Sequence, residues 1–386
     1  MARAHRAVPM DDLISDRLRR LASDPGDAAS MMDLALVLQF YGRRDEALAF
    51  QRSALRVSRL YADPSASPGG LTLLCLMAPG DLTVNTPMEL ILGGRGVNLL
   101  KLYLMPDEPL PDSIPDHDAA LVAISAFDET RTVLARLAEV ADEWPRPLLN
   151  HPGRIDRLSR DGAAGLLQSI PGLAVPETKR MEPDELVRAA KAEGGLHIPF
   201  PLIVRPIGSH GGKGLTRVDD TNALADRVSA LGSGSVYIAP FVDYRSADGF
   251  YRKLRIALIE RRPYLCHVAI ADRWMVSYDN AGMECDAGKR REEERTMQSF
   301  DHVFVPRHGA ALAALADRLG LDYVVIDCAE TRDGRLLFFE ADNAAAVHDL
   351  DPPDVFPYKR AHMRPVFDAF EAMLRRAVGE KGWHGR

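Results

Sequence analysis

The segment Leu321–Asn343, LDYVVIDCAETRDGRLLFFEADN, constrains this chain more than any other. Two apolar runs of strand length, YVVID and RLLFFE, flank Asp333-Gly334, a dipeptide that favours a two-residue hairpin turn. Such a turn, without a bulge, sets Asp327 directly opposite Glu340 on one face, with Cβ atoms about 5 Å apart. Facing carboxylates repel unless a cation or a proton lies between them. Asn343 follows on the same side of the strand end and offers a neutral oxygen. Asp327, Glu340 and Asn343 together suit a hard cation such as Mg2+, which commonly joins protein carboxylates to substrate phosphates. A solvated, salt-bridged hairpin is the weaker account, because both acids end strongly apolar strands where they need partners.

A second feature is Phe200–Thr216, FPLIVRPIGSHGGKGLT. A strand (PLIVR) enters a loop holding Gly208, His210, Gly211, Gly212, Lys213 and Gly214, and a strand leaves it. Glycines let backbone N–H groups approach a phosphate closely, and Lys213 adds a cation. The spacing excludes a Walker loop, which needs four residues before Gly-Lys and a Ser or Thr after it. A dinucleotide fingerprint is excluded as well, since a strand and not a helix follows. What remains is a glycine-rich flap between two strands; on its own, a mobile surface hairpin explains it equally well. Gly93-Gly94-Arg95-Gly96 matches neither pattern and reads as a turn.

Composition narrows the class. With 386 residues, 46% hydrophobic and 27% charged, the chain is an ordinary globular protein of two or three domains. A formal charge of −7 gives no basic excess for nucleic acid. No apolar run is long enough for a membrane span, and MARAHRAVPM is not followed by the apolar stretch of a secretory leader. The four cysteines form no CxxC pair, which argues against zinc and disulfides and fits a reducing cytoplasm.

Residues 1–63 read as helical, with a tyrosine and glycine (Tyr41, Gly42) at a helix turn followed by DEAL. This resembles one tetratricopeptide repeat, and a lone repeat needs a neighbour for its apolar face. A hairpin packed on the next domain or on a second subunit accounts for it, and the unpaired face points to a homodimer. Ala62–Gly70, ADPSASPGG, reads as a linker. Over 68–150, apolar strands such as LTLLCLM alternate with helices, which implies a small parallel α/β domain. Residues 151–386 mix helices with strand pairs and are α+β in character. The charged run AGKRREEERTMQ reads as a loop or an exposed helix start, and His267 as a structural or a ligand-facing histidine with Trp274 nearby.

Flap and acidic hairpin, in this order and about 115 residues apart, resemble the ATP-grasp superfamily over roughly 68–370. The resemblance implies an ATP-grasp fold: a parallel α/β pre-grasp domain (68–150), a central subdomain with the flap (151–243) and a C-terminal subdomain with the metal site (244–386). NHPGRIDRLSRD and IPGLAVPET look like the entry to the central subdomain, and PLIVRP resembles the strand carrying a phosphate-contacting lysine, here Arg205. Arg160 lies near the position of the other nucleotide-binding cation. VYIAPFV resembles the hinge that meets adenine, which implies Pro240, Phe241 and Val242 at the base and Asp243 or Asp248 at the ribose. Ala239 stands where an acidic residue is common.

By the same resemblance Asp327, Glu340 and Asn343 would bind Mg2+ or Mn2+, and Arg255 of YRKLRIAL would be catalytic, holding the carboxylate substrate. The implied activity is ligation of a small-molecule or peptide carboxylate to an amine, with ATP and an acyl-phosphate intermediate. His210, Gly211, Gly212 and Lys213 would cover the phosphates, with Arg205 and Arg160 neutralising them. Two alternatives are an ATP-grasp kinase and a nucleotide-sensing module that recruits a partner through the N-terminal helices.

Overall fold

The computed structural model describes residues 9–63, 69–192, 195–209, 211–230 and 234–380. His210, the middle of the expected linker (64–68) and the first eight residues lie outside them. The chain divides into two compact units: Met1–Asp156 with Leu321–Val325 and Asp342–Arg386, and Arg157–Gly320 with Ile326–Ala341.

In the first unit, helices Asp11–Ser23, Ala28–Phe40 and Arg44–Val57 come first. Asp27 caps the second by accepting from the Ser30 N–H at 3.0 Å, and Gly42 follows its end in a left-handed conformation. Strands β1 (Leu60–Ala62), β2 (Leu71–Met77), β3 (Val97–Tyr103), β4 (Ala119–Val122) and β5 (Leu148–Leu149) form one sheet in the order β1-β3-β2-β4-β5. All neighbours are parallel except the edge strand β1. Leu73, Leu74 and Leu76 of β2 and all four residues of β4 are buried, as a sheet covered on both faces requires. A largely parallel sheet was expected over 68–150; the unit that holds it runs through Asp156 and also takes in Leu321–Val325 and Asp342–Arg386.

The helical hairpin is covered inside its own unit. Met32, Ala35, Ala54 and Leu55 pack with Tyr61, Met77, Tyr103 and Met105, which accounts for the apolar face that pointed to a second subunit. Gln51 clasps Gly80 in both directions, its amide donating to the carbonyl at 2.9 Å and accepting from the N–H at 2.8 Å. Gln39 accepts from the Leu82 N–H at 2.8 Å. The loop leaving β2 is therefore pinned by two helical side chains.

The second unit holds β6 (Leu173–Ala174), β7 (Lys179–Met181), β8 (Leu202–Pro206), β9 (Thr216–Val218), β10 (Val236–Pro240), β11 (Tyr251–Ile259) and β12 (Arg262–Ala271). To these it adds most of β13 (Tyr323–Glu330) and β14 (Leu336–Asp342). An antiparallel sheet runs β7-β10-β8-β9, and a second sheet runs β12-β11-β13-β14-β6. Leu202, Val204, Val236 and Ile238 point into a core shared with Leu186, Leu224 and Val228 of helices Pro183–Lys191 and Thr221–Ser229. Strand alternation then presents Arg205 on the opposite face of β8.

The β13–β14 turn is one residue longer than expected. Thr331 donates its N–H to Arg335 O at 2.9 Å, Gly334 donates to Thr331 O at 3.0 Å, and Gly334 is left-handed at φ +80°. A three-residue loop ending in a left-handed glycine replaces the two-residue turn, so Thr331 faces Arg335, one position off the pairing that would set Asp327 directly opposite Glu340.

The charged run is a helix, Ala287–Ser299, despite lacking an apolar stripe. Asp286 caps it, accepting from the Gly288 and Lys289 N–H groups at 2.7 and 3.1 Å. Glu293 anchors its middle: fully buried, it accepts from the Val268 N–H at 2.9 Å and from the Tyr278 hydroxyl at 3.1 Å. A π-helical turn, Phe300–Phe304, leads into helix Val305–Leu319. Among the described residues no helix is long and apolar enough to cross a membrane.

Candidate active site

The two acids of the hairpin converge on one lysine. Lys253 and Arg255 are two residues apart on β11, so alternation sends both side chains to one face. Arg255 forks onto Asp327, with Nε donating to Oδ1 at 2.9 Å and Nη2 to Oδ2 at 3.0 Å. Lys253 Nζ lies 2.7 Å from Asp327 Oδ2 and 4.0 Å from Glu340 Oε1. Glu340 accepts from Arg160 through its other oxygen. Arg160 opens helix Arg160–Leu167, whose cap Ser159 accepts from the Gly162 N–H at 3.2 Å.

Arg205 completes the cluster. It donates from Nε to Ser209 Oγ at 3.0 Å and also to the Ser209 carbonyl, tying the β8 strand end to the base of the flap. Burial and the neighbouring Arg160 bring its guanidinium down to about 10, with Glu340 pulling the other way. Burial alone would raise Asp327, which is 2% exposed, yet Arg255 and Lys253 outweigh it and hold the carboxyl well below the usual carboxylate range. Glu340 is lowered too: burial and Asp327 oppose this, and Arg160, Lys253 and Arg205 prevail. Arg255 moves up, since its attraction to Asp327 exceeds the cost of burial. Four cationic side chains thus surround two carboxylates, leaving a positive surplus in a partly enclosed site.

Among the flap residues, Gly211, Gly212, Lys213 and Gly214 form turns, and Lys213 is exposed. Gly212 has φ +80°, and a Cβ there would stand 3.3 Å from Met275 Sδ. The expected hinge is aromatic: Arg217 stacks 4.4 Å over Phe241, whose ring meets Trp274 edge-on at 5.7 Å. Pro240 ends β10, Val242 lies just beyond it, and the Phe241 N–H donates to Pro201 O at 2.8 Å. Asp243 is paired with Arg245 at 3.0 Å and Arg332 at 3.3 Å, and Asp248 with Arg252 at 2.6 Å. Both expected ribose acids are therefore engaged by arginines in this structure. His267 is the cross-strand partner of Arg255, and its ring lies against that of Tyr278, tilted by 31° with centroids 4.5 Å apart.

Asn343 belongs to the first unit. It is fully buried, donates from Nδ2 to Ile124 O at 2.9 Å, and its Oδ1 has no hydrogen-bond partner among the described residues. Alternation along β14 places Asp342, not Asn343, on the same side of the strand as Glu340. In the first unit Asp342 accepts from Ser125 Oγ and the Ala344 N–H, each at 2.8 Å.

Reading the sequence alone missed Lys253. Its signal is the K-L-R spacing of YRKLRIAL: cations at i and i+2 of a strand share a face, and a buried face of that kind needs acids opposite.

No family model matches the chain, and no curated protein sequence matches it. Solved structures do. One is the RimK domain protein ATP-grasp from Sphaerobacter thermophilus, at 20% identity over 79% of this chain and 99% of that one, with a TM-score of 0.43. Another is the D-alanine–D-alanine ligase from Bacillus anthracis complexed with ATP, at 14% identity over 81% of this chain and 100% of that one, with a TM-score of 0.49. A third is the VanG D-Ala:D-Ser ligase from Enterococcus faecalis, at 11% identity over 79% and 99%, with a TM-score of 0.47.

Proposed function

We propose that this chain is an ATP-grasp enzyme that uses ATP to join a carboxylate to an amine through an acyl-phosphate, releasing ADP and phosphate. One observation carries the reading: Arg160, Arg205, Lys253 and Arg255 gather around Asp327 and Glu340, a surplus of positive charge that a polyphosphate would neutralise. Arg205 and Arg160 would bind the phosphates, with Gly211, Gly212 and Lys213 closing over them. Closure would exclude water, which otherwise hydrolyses an acyl-phosphate. Arg255 would fix Asp327, and its charge would offset the negative charge that builds up as the phosphoryl group moves to the carboxylate. Phe241 with Arg217 would face the nucleotide base, and Asp243 or Asp248 the ribose.

A divalent ion fits the donor chemistry in part. Among the described residues no group of three or more His, Cys, Asp or Glu side chains could hold a metal by itself. Two carboxylates are what Mg2+ commonly uses when phosphates supply further oxygens. Asp327 and Glu340 are the oxygens we assign to Mg2+ or Mn2+. When bound, the ion would neutralise phosphate charge.

The test is a screen of ADP release from ATP against pooled amino acids and peptides, with mass spectrometry of the products. Amine-dependent turnover and a condensed product support ligation. A phosphorylated product formed without an amine points to a kinase, and the absence of ATP turnover with every pool counts against the enzyme reading.

A further inference from the structure

The acid pair already holds a cation on a flexible stem. Asp327 receives Arg255 on both oxygens and Lys253 on one of them, and the Lys253 ammonium reaches toward Glu340 as well. The two cations differ in kind. A guanidinium fork on a carboxylate is geometrically fixed, whereas an ammonium is a compact charge on a flexible stem with rotatable donors. A divalent ion added to these acids would meet Lys253 at close range in a site that already carries excess positive charge. A polyphosphate changes both conditions, because it brings negative charge and supplies oxygens to which the ammonium can turn.

We propose that Lys253 is a resident counter-cation that keeps Asp327 and Glu340 closed to divalent metal until a nucleotide polyphosphate draws its ammonium away. Metal then enters with nucleotide and not before it. The inference rests on the nucleotide reading above and adds to it an order of binding and the residue that sets it.

The experiment titrates Mn2+ alone into the full chain and follows free Mn2+ by its paramagnetic resonance signal. ATP binding is measured separately by calorimetry in the presence of EDTA. Wild type is expected to leave Mn2+ free. Lys253→Met should bind Mn2+ about tenfold more tightly or better, since one repelling charge is gone. Lys253→Arg should behave as wild type, and the double variant K253M/D327N should lose the gain. Lys253→Gln carries the same expectation as Lys253→Met should the latter not fold. Wild type binding Mn2+ as tightly as a folded Lys253→Met or Lys253→Gln protein overturns the proposal. Intact ATP binding alongside that result removes this inference alone, whereas failure of ATP to bind removes the nucleotide reading.

Discussion

Asp327 shows how one residue couples stability to chemistry. Its carboxylate is almost wholly buried, so its charge persists because Arg255 and Lys253 compensate for the lost water. Arg255→Met should therefore cost about 3–5 kcal/mol, the typical result of breaking a buried pair, read as a lower urea midpoint at pH 7. The pH dependence has a definite sign. The folded value lies below the unfolded one of about 3.9, so the pair's contribution is complete above about pH 4 and is lost as pH falls through the folded value. The gap in urea midpoint between wild type and Arg255→Met should shrink on going from pH 7 to pH 3; a constant gap would show that Asp327 is not responsible. Asp327 and Glu340 stood out in the sequence because each is an acid in an otherwise strongly apolar strand, whereas Arg160, Arg205 and Arg255 were marked only by the family resemblance. Lys253 was not, since a lysine beside tyrosine and arginine reads equally well as solvated until its cross-strand neighbours are known.

At the scale of elements, the flap and the helix Ala287–Ser299 make opposite points. Gly212 combines a left-handed backbone with close approach to Met275, so Gly212→Ala is strained on both counts. On the reading of this hairpin as a phosphate cover, Gly212→Ala should raise the ATP concentration for half-maximal turnover about tenfold, while the melting midpoint falls by no more than about 1 kcal/mol allows. Equal losses in both would make Gly212 merely structural. The flap's glycines were visible because they serve the backbone locally. The helix was not, because what holds it is a tertiary contact: Glu293 accepting a main-chain N–H of β12. Glu293→Ala, which strands that N–H and the Tyr278 hydroxyl, should destabilise the fold by about 1–3 kcal/mol, measured by urea denaturation. The β13–β14 turn carries the same lesson, since Asp333-Gly334 suits either loop length and the strands decide between them.

For the whole molecule, the largely parallel sheet was foreshadowed by apolar strands alternating with helices and the other two only as strand pairs, whereas the place of the N-terminal helices stayed open between the next domain and a second subunit. A single helical hairpin with an apolar face is compatible with a partner, a second subunit or its own chain. The choice is made by Met77, Tyr103 and Met105, residues far along the sequence. Deleting residues 9–57 should expose that cluster and yield protein that binds a hydrophobic dye and melts at lower temperature. A truncated protein with unchanged melting would show the helices to be a detachable module.

The division of the chain also bears on how the protein emerges from the ribosome. One unit is assembled from three separate stretches, the last beginning at Asp342. Its sheet is translated before the intervening unit, and the segment containing helix Lys359–Glu380 after it. The intervening unit can form in the meantime, up to its own final piece, Ile326–Ala341. Newly made β2 and β4 must wait, oily and incompletely covered, which makes this half of the nascent polypeptide a natural client for a holding chaperone.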